Sequence, residues 1–124
     1  SEQLAYRYIV SIEGNDVATN LKWILASNSL CLMRQPRYET WFMEGALEPG
    51  IHYVQLADDH SDLEEKIHYY NDNPSEAEAI IRNANQHVAQ FMETEREFLI
   101  SLLVMDRYFR LSAPETNGLE GVFR

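Results

Sequence analysis

Positive charge is scarce in this sequence: ten lysines and arginines stand against twenty aspartates and glutamates, a formal charge of −10. The basic residues are scattered, with no stripe of the kind that neutralises nucleic-acid phosphates. This balance argues against a nucleic-acid partner and against electrostatic docking on an anionic lipid surface. Cysteine is nearly absent as well. The single Cys31 lies in the apolar run SLCLM, has no internal partner, and reads as a buried structural thiol. No run approaches the ~18–20 apolar residues of a membrane span. The opening SEQLAYRYIV also lacks the basic start, apolar middle and small-residue cleavage site of a signal peptide. A soluble, cytoplasmic domain is the expectation. Neither GxGxxG nor GxxxxGK[ST] occurs, and His52, His60, His68 and His87 show no metal-ligand spacing, so no metal site is expected.

What is present suits one ordinary domain: 124 residues, 45 % of them hydrophobic, enough for a single core. Tyr6–Ile12 (YRYIVSI) is aromatic and β-branched and reads as a strand buried on both faces. From Asp16 onward, Val17, Leu21, Ile24 and Leu25 recur at the spacing of an amphipathic helix, and Ser29–Met33 is a second apolar strand. The order β–α–β predicts a parallel crossover. Arg34–Arg37 is a turn, Tyr38–Glu44 (YETWFME) a short helix or aromatic loop, and His52–Leu56 a third strand. Ser61 and Glu64 have capping-box spacing, ahead of a helix with Leu63, Ile67 and Tyr70 on one face. After Asn71–Pro74 a further helix repeats Ala77, Ile80, Ala84, Val88 and Phe91. A last helix, Glu93–Arg110, is expected to turn Phe98, Leu102, Met105 and Phe109 inward. The α/β domain is thus placed at residues 1–110 and a loose tail at 111–124. Three strands are few for such a sheet, which suggests a piece of a larger protein.

The junction IEGNDVATNLKW concentrates the chemistry. In open α/β sheets ligands bind beyond the carboxyl ends of the strands, where helix amides point outward. Gly14 would admit a ligand close to the backbone, Asn15 or Asp16 would cap the helix, and the amides of Asp16 to Thr19 would face an anion, with Lys22 one turn in. The plain alternative is a tight turn and a cap. Asp58 and Asp59 read as a solvated loop, and Trp41 and Phe42 as packing against the sheet or stacking beside a ligand.

The run YRYIVSIEGNDVATNLKWILASNSLCLM, then YETWFMEGALEPGIHYVQL, then DDHSDLEEKI, resembles the family 90 glycosyltransferases across Tyr6 to Phe91. These are the lipopolysaccharide-modifying enzymes of bacteria, with relatives in fungal capsule synthesis and among animal protein O-glucosyltransferases. Each motif alone is weak; in this order they are specific. The resemblance implies a Rossmann-like parallel sheet flanked by helices, the C-terminal, donor-binding half of a GT-B arrangement. It implies a nucleotide-sugar donor, a UDP-sugar, as substrate and no cofactor. The acceptor, lipopolysaccharide or a related surface glycan, and the catalytic carboxylate belong to the half that precedes this region. The implied donor residues are Gly14, Asn15, Asp16, Thr19 and Asn20, with Lys22 and Glu39. Eukaryotic members carry an arginine where Asn20 aligns, so Lys22, or Arg34 and Arg37, would supply that charge here. Two other readings stand beside it: a non-catalytic nucleotide-binding or protein-interaction module, and a small phosphosugar isomerase, for which no acid–base pair can be named.

Overall fold

A computed structural model describes residues 2–112 of the chain. Contacts divide it into two compact units between Phe91 and Met92. In the first, three short parallel strands, β1 (Tyr8–Ser11), β2 (Leu30–Met33) and β3 (Val54–Gln55), lie side by side in that order. Tyr8 pairs with Leu30 and Ser11 with Met33, while Leu32 pairs with Val54. The crossover between β1 and β2 is parallel, as the β–α–β order requires.

The central strand organises two core faces. Cys31 and Met33 point into a cluster with Ile24, Leu25, Phe42, Tyr53, Ala84 and Val88. Leu30 and Leu32 point the other way, toward Val54, Leu56, Ala77 and Ile80. This is the period-two alternation of a strand buried on both sides. Helix α1 (Leu21–Leu25) covers the first face; Leu63, Ile67 and Tyr70 of helix α2 (Leu63–Asp72) pack on the second, as their spacing predicts. Helix α3 (Pro74–Ala89) serves both, giving Ala77 and Ile80 to one cluster and Ala84 and Val88 to the other. It also closes α1: the Asn85 amide donates to the carbonyls of Leu25 and Ser27 at 2.7 and 2.9 Å, satisfying acceptors that a helix end leaves open. Cys31 is buried, and burial pushes its thiol up to about 12, as befits a structural residue.

Several expectations are corrected. The first strand is shorter than Tyr6–Ile12, and only Ser11 is buried, because β1 pairs on one side only. Helix α1 starts at Leu21, not Asp16. The third strand keeps two residues of His52–Leu56, since His52 belongs to the preceding turn. The capping box does not form: the Ser61 hydroxyl bonds Asp59 at 2.7 Å, and Asp62, the N-cap of α2, accepts instead from the Ala57 amide at 2.9 Å.

The second unit contains helix α4 (Thr94–Ser112), which buries none of its side chains. The Phe98–Phe109 stripe expected to face inward is exposed, Phe98 at 63 % and Phe109 at 60 %. A stripe at helical spacing specifies an apolar face, not what covers it. The expected tail over 111–124 contributes Leu111 and Ser112 to α4; its remainder lies outside the described residues.

Candidate functional site

Beyond the carboxyl end of β1 the chain does not enter a helix at once. Residues 12–20 form an open loop, and Asn20 becomes the N-cap of α1 without a capping side-chain bond. The Asp16 carboxylate accepts from the next amide, Val17, at 2.8 Å and so folds the loop on itself rather than capping α1. The Ser11 hydroxyl donates to Asn20 Oδ1 at 2.9 Å, tying the strand end to the helix start. The expected first helical turn over Asp16–Thr19 is therefore absent, and a five-residue α1 offers no helix-end anion site of its own. In its place Gly14, Asn15, Asp16, Val17, Ala18, Thr19 and Asn20, with Val10 and Ile12, line a depression of about 520 Å³.

Gly14 shows why this loop stays open. Its backbone does not occupy the left-handed region, and a Cβ added there would meet nothing within 4 Å. Neither φ nor internal packing requires glycine at this point; what its lack of a side chain preserves is empty space above the backbone.

A narrow cleft of about 10 Å³, room for roughly one water, adjoins the depression at Ala18. Ser11, Glu13, Leu21, Met33, Arg34 and Pro36 complete its walls, joining the ends of β1 and β2. Glu13 was missed by the sequence reading, although period two from Ser11 turns both residues to one side. Its carboxylate accepts from the Arg37 amide at 3.2 Å and the Tyr38 amide at 3.4 Å, and lies 3.7 Å from Arg37 Nε. Glu13 thus fastens the loop after β2 to the end of β1. Arg34 Nη1 reaches the Asp58 carbonyl at 3.5 Å, and the acidic pair stays a surface loop, with Asp59 held below the usual carboxylate range by bonds from Ser61.

Lys22 and Glu39 stand apart from both cavities. Lys22 Nζ lies 3.5 Å from Glu44 Oε1 and over the rings of Trp41 and Phe42, at 5.3 and 5.4 Å. Glu44, also missed, is only 1 % exposed. It accepts from the Thr40 amide at 2.7 Å and the Thr40 hydroxyl at 2.8 Å. Burial pushes the carboxyl up, but the Thr40 bonds and the Lys22 charge outweigh it, so Glu44 sits below its ordinary value. Glu39 folds against the same turn, its Oε1 3.2 Å from where a Gly45 Cβ would be. Phe42 is buried and packs in the core, as the packing alternative expects, while Trp41 is 65 % exposed and meets Phe42 and Phe91 edge to face.

On α3, the His87 ring accepts from Gln90 at Nδ1 and donates Nε2–H to the Phe42 carbonyl at 3.3 Å. His52 lies against it, ring centroids 5.5 Å apart, with Nδ1 accepting from the Glu48 amide. These contacts tie residues 42–52 to α3. Among the described residues no group of three or more His, Cys, Asp or Glu is arranged to hold a metal ion.

A model of glycosyl transferase family 90 matches residues 1–117. The chain belongs to glycosyltransferase family 90. Within this family it is 63 % identical over 113 residues to the O-glucosyltransferase LpsA of Dichelobacter nodosus, covering 91 % of this chain and 36 % of LpsA. It is 30 % identical over 119 residues to protein O-glucosyltransferase 3 of Homo sapiens (93 % of this chain, 23 % of that one) and 26 % identical over 117 residues to protein O-glucosyltransferase 2 of Danio rerio (94 % and 23 %). The chain therefore spans about a third or less of the length of these relatives. No helix among the described residues is long and apolar enough to cross a membrane.

Proposed function

We propose that this family 90 chain is the donor-binding part of a glycosyltransferase of GT-B type. The enzyme would move a sugar from a nucleotide sugar to a hydroxyl of lipopolysaccharide or a related surface glycan, on the cytoplasmic side of the membrane. The observation that carries the reading is the 63 % identity to an O-glucosyltransferase, which supports glucose as the sugar and, with it, a UDP-sugar as the donor. The fold supports it, because the depression lies where open parallel sheets take ligands, beyond the carboxyl end of β1. Gly14, Asn15, Asp16, Thr19 and Asn20 line it. The exposed amides and side-chain donors of the loop would meet phosphate oxygens and sugar hydroxyls, and Gly14 would leave room for them.

Transfer requires a base for the acceptor hydroxyl and charge stabilisation for the departing diphosphate. This chain would supply the second. Among the described residues no carboxylate at the depression is free and placed for the first: Asp16 is turned onto its own loop and Glu13 is occupied by the loop after β2. The base then belongs to a part of the enzyme outside these residues, and the chain alone should bind donor without turning it over. Titration with UDP, followed by backbone amide shifts, tests this. Shifts concentrated at Gly14–Asn20 support the reading; unchanged spectra at millimolar UDP, or robust sugar transfer by the chain alone, contradict it.

A further inference from the structure

The elements that follow β1 and β2 carry Lys22, Arg34 and Arg37 toward the end of the sheet where the depression lies. A diphosphate seated there needs a cation, yet two of the three are already committed. Lys22 pairs with the buried Glu44 and rests on Trp41 and Phe42. Arg37 pairs with Glu13. Removing either from its carboxylate would strand a negative charge that is 1 % exposed in Glu44 and 13 % in Glu13.

Arg34 differs. It directly follows the central strand, it is half-buried, and its guanidinium has no carboxylate within ion-pair distance among the described residues. Its contact is the weak 3.5 Å bond to the Asp58 carbonyl. It forms a wall of the cleft that shares Ala18 with the depression, while its guanidinium is turned toward the loop after β3 by that weak bond. A guanidinium is also the side chain whose forked donors match phosphate oxygens two at a time.

We infer that Arg34, and not Lys22, is the cation that meets the diphosphate of the donor. The inference rests on the donor-binding reading above. Lys22 is then a positioning residue that acts through Glu44, keeping the turn from Thr40 to Glu44 closed. The two roles separate under double substitution. Losing Lys22 alone leaves Glu44 buried and unpaired, whereas Lys22→Met with Glu44→Gln removes both charges and keeps an acceptor for Thr40.

The test measures affinity of this chain for UDP, uridine and inorganic pyrophosphate, with amide spectra confirming that each variant is folded. Arg34→Ala should weaken UDP and pyrophosphate about tenfold, the worth of one charge-assisted contact, and leave uridine unchanged. Arg34→Lys should recover part of that loss. The Lys22→Met/Glu44→Gln chain should bind UDP within about threefold of the parent, since no phosphate contact has been lost. UDP affinity unchanged by Arg34→Ala, or lost in the double variant, overturns the assignment while leaving the donor site standing. If neither UDP nor pyrophosphate perturbs the parent chain, the donor site and the assignment fall together.

Discussion

The loops that follow the first two strands solve opposite problems with similar residues. Residues 12–20 mix polar with apolar side chains, contain a glycine, and border an open depression; residues 39–46 mix them too, contain a glycine, and close into a packed turn. In the second loop the polar groups answer one another: Thr40 to Glu44, Glu44 to Lys22, and the Phe42 carbonyl to His87. A Cβ at Gly45 would press on Glu39 at 3.2 Å, whereas one at Gly14 would touch nothing within 4 Å. Polar groups with partners inside the fold hold a shape. In residues 12–20 Glu13, Asp16 and Asn20 have such partners as well, whereas the side chains of Asn15 and Thr19 border the depression without one among the described residues.

The largest effect should come from breaking the closed loop. Glu44→Ala removes the acceptor of the Thr40 amide and the partner of Lys22 in a buried place, and should cost about 2–3 kcal/mol in urea unfolding, discounting Lys22 for its partial exposure. A loss below about 0.5 kcal/mol, the range of ordinary surface changes, would mean that the loop is held by its aromatic contacts alone.

A smaller gain is expected where the core carries a polar group it does not use. The Tyr53 hydroxyl is fully buried and has no partner among the described residues. Tyr53→Phe should raise stability by about 1 kcal/mol, because an unmade bond is a desolvation cost with no return. Destabilisation of that size would point to a partner for the hydroxyl that these residues do not supply.

Acid should loosen the turn that His52 holds before β3. Burial holds the imidazole of His52 below its usual value, reinforced by His87 and partly offset by Glu48. The native state therefore binds fewer protons than the unfolded chain just below 6.5, and stability rises with pH there. The His52 contribution is complete above 6.5 and is lost as pH falls toward the depressed value. Urea midpoints measured between pH 5 and pH 7.5 check the sign, and His52→Gln should flatten the profile. A profile unchanged by that substitution would assign the slope to other groups.

Much of the scaffold was legible in the sequence because its signals are local. Alternation in LCLM marks the central strand, and the spacing of Ala77, Ile80, Ala84 and Val88 marks α3. The start of α1 was misread because Val17 keeps helical phase with Leu21 although the backbone between them is a loop; phase records side-chain direction, not hydrogen bonding. Spacing likewise suggested a capping box at Ser61, but Asp59 claimed its hydroxyl first. At the candidate site, Gly14 to Asn20 are contiguous and gather around one depression. Lys22 and Glu39 do not join them: Lys22 pairs with Glu44, a contact that no local pattern encodes, and Glu39 lies beside Gly45 in the other loop.

Gly14→Ala tests the contrast between the loops most directly, since it separates stability from binding at a single methyl group. With no neighbour to clash and no left-handed backbone, the substitution should leave stability unchanged or raise it by up to about 1 kcal/mol by restricting the unfolded chain. UDP-induced shifts at Asn15–Asn20 should nevertheless weaken, because the methyl enters the space assigned to the donor. Full UDP affinity in a stable Gly14→Ala chain would contradict the account: the junction would then be a turn, and the donor would bind elsewhere.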